Sequence, residues 1–437
     1  MTIRPIRLAA TAVLAGALAF AQAQADDRVE LRWLGTAATG AFDESAAEIV
    51  AHDPASQRLF VVNAMSGQLD VIDVADPSAP RFVATLQVGA EGEVANSVAV
   101  HEGLVAVAIE APEKTDPGRV AFFDVDGLQL ASVTVGALPD MLTFTPDGRR
   151  VVVANEGEPN DDYSVDPEGS VSVIDVARTG AGLELSVRTA DFRAYDVGGP
   201  RHALLPDAVG VFGPGASVAQ DLEPEYVVVS ADGRSAWVAL QENNALAIVD
   251  LDAARVVAIR ALGFKDHRVA GAGLDASDRD GAIAIRTWPV YGMYLPDAIA
   301  VLEWQGATYV LSANEGDARD YDTYSEEARV KDLALDPIAF ANAEALQADE
   351  ALGRLTVTTT LGDPDGDGLY EALYAFGARS FSVWTARGDL LFDSGDQLEQ
   401  LTAARYPAYF NANNDENGAD TFESRSDNKG PEPEGIT

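Results

Sequence analysis

Short runs of alternating apolar and polar residues, rich in valine and isoleucine and broken by Asp-Gly or Asp-Pro turns, recur along most of the chain. Period-two alternation of this kind predicts strands rather than helices. One unit repeats. It comprises an alternating strand, a tight turn, a β-branched strand ending near Asn-Glu, a loop, and a strand of the form x-Val-x-Val-Ile-Asp-Val. The first copy spans 48–74, with its turn at Asp53-Pro54-Ala55-Ser56 and strands over 59–63 and 69–74. The second spans 96–125, the third 139–176 with a turn at Pro146-Asp147-Gly148, and the fourth 224–251 with a turn at Ala231-Asp232-Gly233. A fifth opens at Pro296, runs a strand over 309–315 and resumes, after a long insertion, at 380–385. A sixth opens at Pro433-Glu434-Gly435-Ile436, where the sequence stops. Further strands follow most copies, for example over 82–88 and 183–189.

Four antiparallel strands per repeat, stacked radially, make an all-β fold of the β-propeller type. In that geometry the inner-to-second turns occupy one face, and the second-to-third loops and blade-to-blade connections share the other. The long insertions, 190–221, 265–295, 317–379 and 398–431, all fall on this second face. Long loops on a rigid scaffold are where function concentrates, so this is the expected functional face. The segment 31–34 is expected to pair with a terminal blade.

The first 25 residues read differently. Arg4 and Arg7 precede an apolar run over 8–20 and then Ala21-Gln22-Ala23-Gln24-Ala25. That order is a signal peptide over 1–25, and it predicts export to the periplasm, the cell surface or the medium. The run is too short to span a bilayer, and no other approaches that length.

Composition narrows the chemistry. With 70 acidic residues against 30 basic ones, a net charge of −40 and no cysteine, the chain can build no disulfide scaffold, thiolate metal site or cysteine nucleophile. Nucleic acid is the wrong partner, because phosphate backbones need a basic surface. Four scattered histidines make a histidine-rich metal site equally unsuitable. Carboxylates remain. Inner strands open with Glu48, Asn96, Asp140, Glu225, Asp297 and Glu434, and second strands close with Glu110, Glu156, Glu242 and Glu315. Both sets are expected around the channel mouth, where like charges need a cation between them or bonds to neighbouring backbone N–H groups. Glu156, Glu158, Glu242, Glu315, Asp317 and Glu434 are therefore candidate ligands for calcium, with magnesium as the other hard cation that oxygen donors suit.

A second candidate is local. Asp363-Pro364-Asp365-Gly366-Asp367-Gly368 has the D-x-D-x-D-G spacing of a calcium loop, with Glu371 at the ninth position, although Tyr374 stands at the twelfth where an EF-hand carries glutamate. Arg319, Arg425 and Lys429 are rare cations in this acidic setting. They either neutralise carboxylates or hold a phosphate or carboxylate ligand beside a metal.

Five longer stretches extend the pattern: 213–225 (GPGASVAQDLEPE), 241–244 (QENN), 273–281 (GLDASDRDG), 314–319 (NEGDAR) and 425–434 (RSDNKGPEPE). They resemble the choice-of-anchor I family, exported bacterial propeller proteins similar to mesenchyme-specific cell-surface glycoproteins. The resemblance runs from about residue 29 to the end. It implies a seven-bladed plan, of which this sequence holds five copies and the start of a sixth. Some relatives carry an alkaline-phosphatase label, and phytase-like propellers use calcium with phosphate esters. The expected function is thus an exported, calcium-binding propeller presenting a ligand-binding face to a phosphorylated or surface ligand. A metal-dependent phosphoesterase and a purely structural surface protein are the alternatives.

Overall fold

The structure is a computed structural model that describes residues 31–41, 46–180, 182–413 and 421–437. The expected signal peptide, 1–25, lies outside the described residues. Five four-stranded antiparallel sheets form the body. Blade 1 comprises Val50–Asp53, Arg58–Asn63, Gln68–Asp73 and Arg81–Leu86. Blade 2 comprises Val94–His101, Leu104–Glu110, Pro117–Asp124 and Gln129–Ala137. Blade 3 is built from Pro139–Phe144, Arg150–Asn155, Ser170–Thr179 and Gly182–Asp191, and blade 4 from Pro224–Val229, Ser235–Leu240, Ala245–Asp250 and Arg255–Ala261. In blade 5, Ile299–Trp304 and Ala307–Asn314 are completed by Ser380–Thr385 and Leu390–Asp393. The first strands of successive blades lie side by side in chain order, so the sheets radiate from one axis as in a β-propeller.

Alternation explains why the sheets stack. In blade 1, Phe60, Val62, Leu69 and Val71 pack with Val98, Val107 and Ala121 of blade 2. The other face of blade 2 gives Ala106, Ala108, Val120 and Phe122 to a core shared with Leu142, Val151, Val153 and Ile174 of blade 3. Equivalent layers join blades 3 and 4, and blades 4 and 5. The tight turns follow local chemistry: Ser56 N–H donates to Asp53 Oδ2 at 2.8 Å, and Gly148, at φ +65°, closes onto the Thr145 carbonyl.

Among the described residues, two faces have no such layer. Blade 1 turns Val50 and Phe82 outward, 57% and 59% exposed, and blade 5 does the same with Leu302, Trp304 and Phe392.

The segment expected to pair as a strand does not. Residues 31–34 make no ladder, and Leu31 and Trp33 remain exposed. Gly35 instead lies against the turn at Pro77–Pro80, whose prolines offer no N–H to a neighbouring strand.

The insertions are more than loops. Phe264–Asp266, Tyr291–Met293, Tyr374–Ala375, Thr356–Thr358 and Glu327–Arg329 pair, in that order, into a five-stranded sheet with one parallel contact. Leu274, Trp288, Val330, Phe340, Leu352 and Val357 give it a core of its own. The fold thus carries a packed cap on the face that the loop lengths single out.

Candidate functional site

The sequence Asn-Glu-Gly at the end of a second strand has a mechanical reading. Asn155 is fully buried, and its Nδ2 donates to Ser170 and to Ser172 Oγ at 3.0 Å, while its Oδ1 accepts from Gly136 N–H. Asn314 repeats the arrangement with Ser380 and Ser382 in blade 5. Each asparagine locks the strand end, so the following glutamate, Glu156 or Glu315, leaves the sheet in a fixed direction. The glycine after it must have a positive φ. A Cβ at Gly316 (φ +100°) would stand 2.2 Å from the Gly377 nitrogen, so no other residue fits. From the inner strands come Asp140 and Glu225, and from just before one comes Asp297, each following a proline.

These directions converge. Carboxylate oxygens of Glu156, Glu225 and Glu242 all lie within 4.8 Å of one another. Glu156 is 9% exposed, and Glu242 Oε2 is buried with no hydrogen-bond partner. Burial pushes all three carboxyls well above their usual range, and neighbouring acids add to it: Glu225, Glu158 and Asp140 around Glu156, and Asp140 and Glu242 around Glu225. At Glu242 the push comes from burial and Glu223, with Arg319 pulling the other way. Burial, then Glu158 and Glu110, raises Asp140 to about 7, while burial, then Glu315 and Asp140, raises Asp297 to about 8. Below the cluster the axis opens into a cavity of about 590 Å³ lined by Glu48, Asn96, Asp140, Glu225, Asp297 and Glu434. A larger cavity, about 850 Å³, lies on the opposite face beside the tight turns, where Arg150 and Arg234 are held by Asp175 and Asp252.

The donor set fits a hard cation. Every donor is a carboxylate oxygen, one of them is orphaned, and oxygens around a single calcium at roughly 2.4 Å stand at most about 4.8 Å apart.

The remaining predicted residues arrange around this centre. Glu158 stands on the rim, accepting from Lys114 Nζ at 2.7 Å and from Tyr321 O–H at 2.9 Å. Glu315 accepts from Gln241 at 3.0 Å, and burial raises it to about 7. Asp317 pairs with Lys429 at 2.6 Å. Glu434 lines the cavity on the side of Glu48 and is raised by burial, Glu432 and Glu48. Thus Glu156 and Glu242 meet each other and Glu225, whereas Glu158, Glu315, Asp317 and Glu434 do not join that group. The three cations are each engaged by carboxylates. Arg319, 1% exposed, binds Glu223 at 2.7 Å; Arg425 grips Glu432; Lys429 holds Asp317.

The second candidate is a separate, exposed loop of the cap. Asp363, Asp365 and Asp367 bring oxygens within 4.8 Å of one another. Backbone N–H groups of Gly366 and Gly368 donate to Asp363, with both glycines at positive φ, as the sharp turn requires. Glu371 Oε2 is buried without a partner, and burial and these three aspartates raise its pKa. Tyr374, at the twelfth position, stacks on Tyr291 in the cap sheet and is no ligand.

Sequence reasoning placed Glu225, Asp140 and Asp297 near the channel mouth without counting them among the candidate ligands, and it passed over Lys114. Their signal was present in the Pro-acid pairs that open inner strands and in Lys114 being one of only four lysines, with Lys265, Lys331 and Lys429.

Among solved structures, the chain is similar to the Cps50 (Swd1) β-propeller domain of Myceliophteria thermophila (11% identity, 59% of this chain and 63% of that one, TM-score 0.36). It is also similar to a protein from Desulfotomaculum acetoxidans (10% identity, 79% and 84%, TM-score 0.37). The fold itself is given by the five four-stranded sheets. Gigasin-3a of Magallana gigas is 42% identical over 97 residues, 21% of this chain, so the match spans about a third (33%) of that relative. The choice-of-anchor I domain model matches residues 48–437, which take in all five blades and the cap, and the chain belongs to the choice-of-anchor I family.

Proposed function

We propose that the protein is an exported, acidic β-propeller that binds calcium at the channel mouth and in the cap loop, and that its capped face presents a ligand-binding surface outside the cell. The convergence of Glu156, Glu225 and Glu242 around an orphaned buried oxygen carries this reading. Bringing three carboxylates together in a buried site is unfavourable unless a cation or protons neutralise them. Among the described residues, no helix is long and apolar enough to cross a membrane. Of the candidate phosphate-binding cations, Arg425 and Lys429 are taken up by Glu432 and Asp317, while Arg319 reaches Glu223 through Nη2 alone and keeps Nε and Nη1 without a partner. The exposed apolar faces of blades 1 and 5 support the seven-bladed plan, in which further sheets would stand between them.

Calorimetric titration of chelator-treated protein with calcium tests the reading. Two classes of site are expected, one removed by Glu242→Gln and the other by Asp365→Asn. A heat unchanged in both variants would count against both sites.

A further inference from the structure

We propose that Lys114 is a resident cation of the channel mouth, whose ammonium competes with a divalent ion and so sets the affinity of the Glu156/Glu225/Glu242 site. The inference rests on the cation-binding reading above. Lys114 lies in the second-to-third loop of blade 2, yet its Nζ reaches Glu158 Oε2 of blade 3 at 2.7 Å. The nitrogen also stands 5.6 Å from the centre of the Tyr321 ring, and that tyrosine's hydroxyl donates to the other oxygen of Glu158. Glu158 follows Glu156 across a single glycine at φ +75°, so the ammonium is held at the edge of the buried cluster. Inside the cluster, Glu242 Oε2 has no partner: the ammonium neutralises the rim but does not satisfy the interior.

Two consequences have the same sign. A fixed positive charge this close repels a divalent ion, only partly screened at a rim position that is 28% exposed. The same ammonium also holds Glu158 outward, away from the ligand set. Removing it relieves the repulsion and leaves Glu158 Oε2 unbound, with Oε1 still held by Tyr321.

Calcium titration of the chelator-treated full chain supplies the test. Lys114→Gln should bind about tenfold tighter than wild type, whereas Lys114→Arg, which keeps the charge, should stay within about twofold. Reductive ¹³C-dimethylation of wild-type protein gives a second readout, because four lysines yield few signals. The Lys114 signal should shift on calcium addition. Unchanged or weaker binding by a folded Lys114→Gln variant, or a stationary signal, overturns the competition while leaving the cation site standing. Absence of calcium uptake by wild type overturns both.

Discussion

Stripped of divalent cations, the protein should lose thermal stability as pH rises from about 5 to 8, and calcium should abolish the loss. The sign follows from the raised carboxyls. Asp140 (about 7) and Asp297 (about 8), raised by burial and by neighbouring acids, hold protons in the folded state that an unfolded chain releases near pH 4. Between those limits the native state binds more protons, so stability falls with rising pH, opposite to the behaviour of a salt-bridged carboxylate. Below about pH 4 both states are protonated, and the groups contribute nothing. Above about pH 8 the penalty is complete. A tenfold difference in proton affinity between folded and unfolded chains is worth about 1.4 kcal/mol, and water in the channel screens part of it, so a loss on the order of a few kcal/mol is expected. Melting curves at pH 5 and 8, with calcium compared against sodium chloride of equal ionic strength, measure it. A cation-free melting temperature that rises toward pH 8, or a calcium effect no larger than that of sodium, would contradict the assignment.

The second large effect lies in the cap. Arg379, 3% exposed, donates to the Asp275 carbonyl and Glu399 Oε1 through Nη1, and to the Ser426 and Asn428 carbonyls through Nη2, at 2.6–2.7 Å. One guanidinium thereby ties together the insertions at 265–295 and 398–431 and the start of a blade-5 strand. Arg379→Met preserves bulk but leaves Glu399, 1% exposed, as an uncompensated buried charge. Breaking a buried pair in this way costs about 3–5 kcal/mol. The variant should melt earlier and be cleaved first within the cap, and adding Glu399→Leu should restore much of the loss. A single variant as stable as wild type would show that the cap does not depend on this hub.

The blades were legible because their signal is local: alternation, turn chemistry and β-branched second strands recur from copy to copy, and the strand expected over 59–63 is Arg58–Asn63. The cap sheet was not. Its strands are as short as Tyr374–Ala375, and that strand pairs in parallel with Tyr291 and Gly292, far away in sequence. No periodicity can be read from two residues, and nothing local encodes their partner. The site divides the same way. Glu156 and Glu242 could be placed from strand ends, and the Asp363 loop from its spacing. By contrast, Glu315 and Asp317 share the strand-end motif but turn to Gln241 and Lys429, partners supplied by other blades and insertions.

Cation binding at the channel mouth requires that Glu156, Glu225 and Glu242 enclose an ion. Diffraction from calcium-soaked crystals, collected where calcium scatters anomalously, addresses that directly. The account predicts an anomalous peak bounded by oxygens of these three side chains, absent after Glu156→Gln combined with Glu242→Gln. Carboxyls hydrogen-bonded to one another, with no peak between them at saturating calcium, would contradict it.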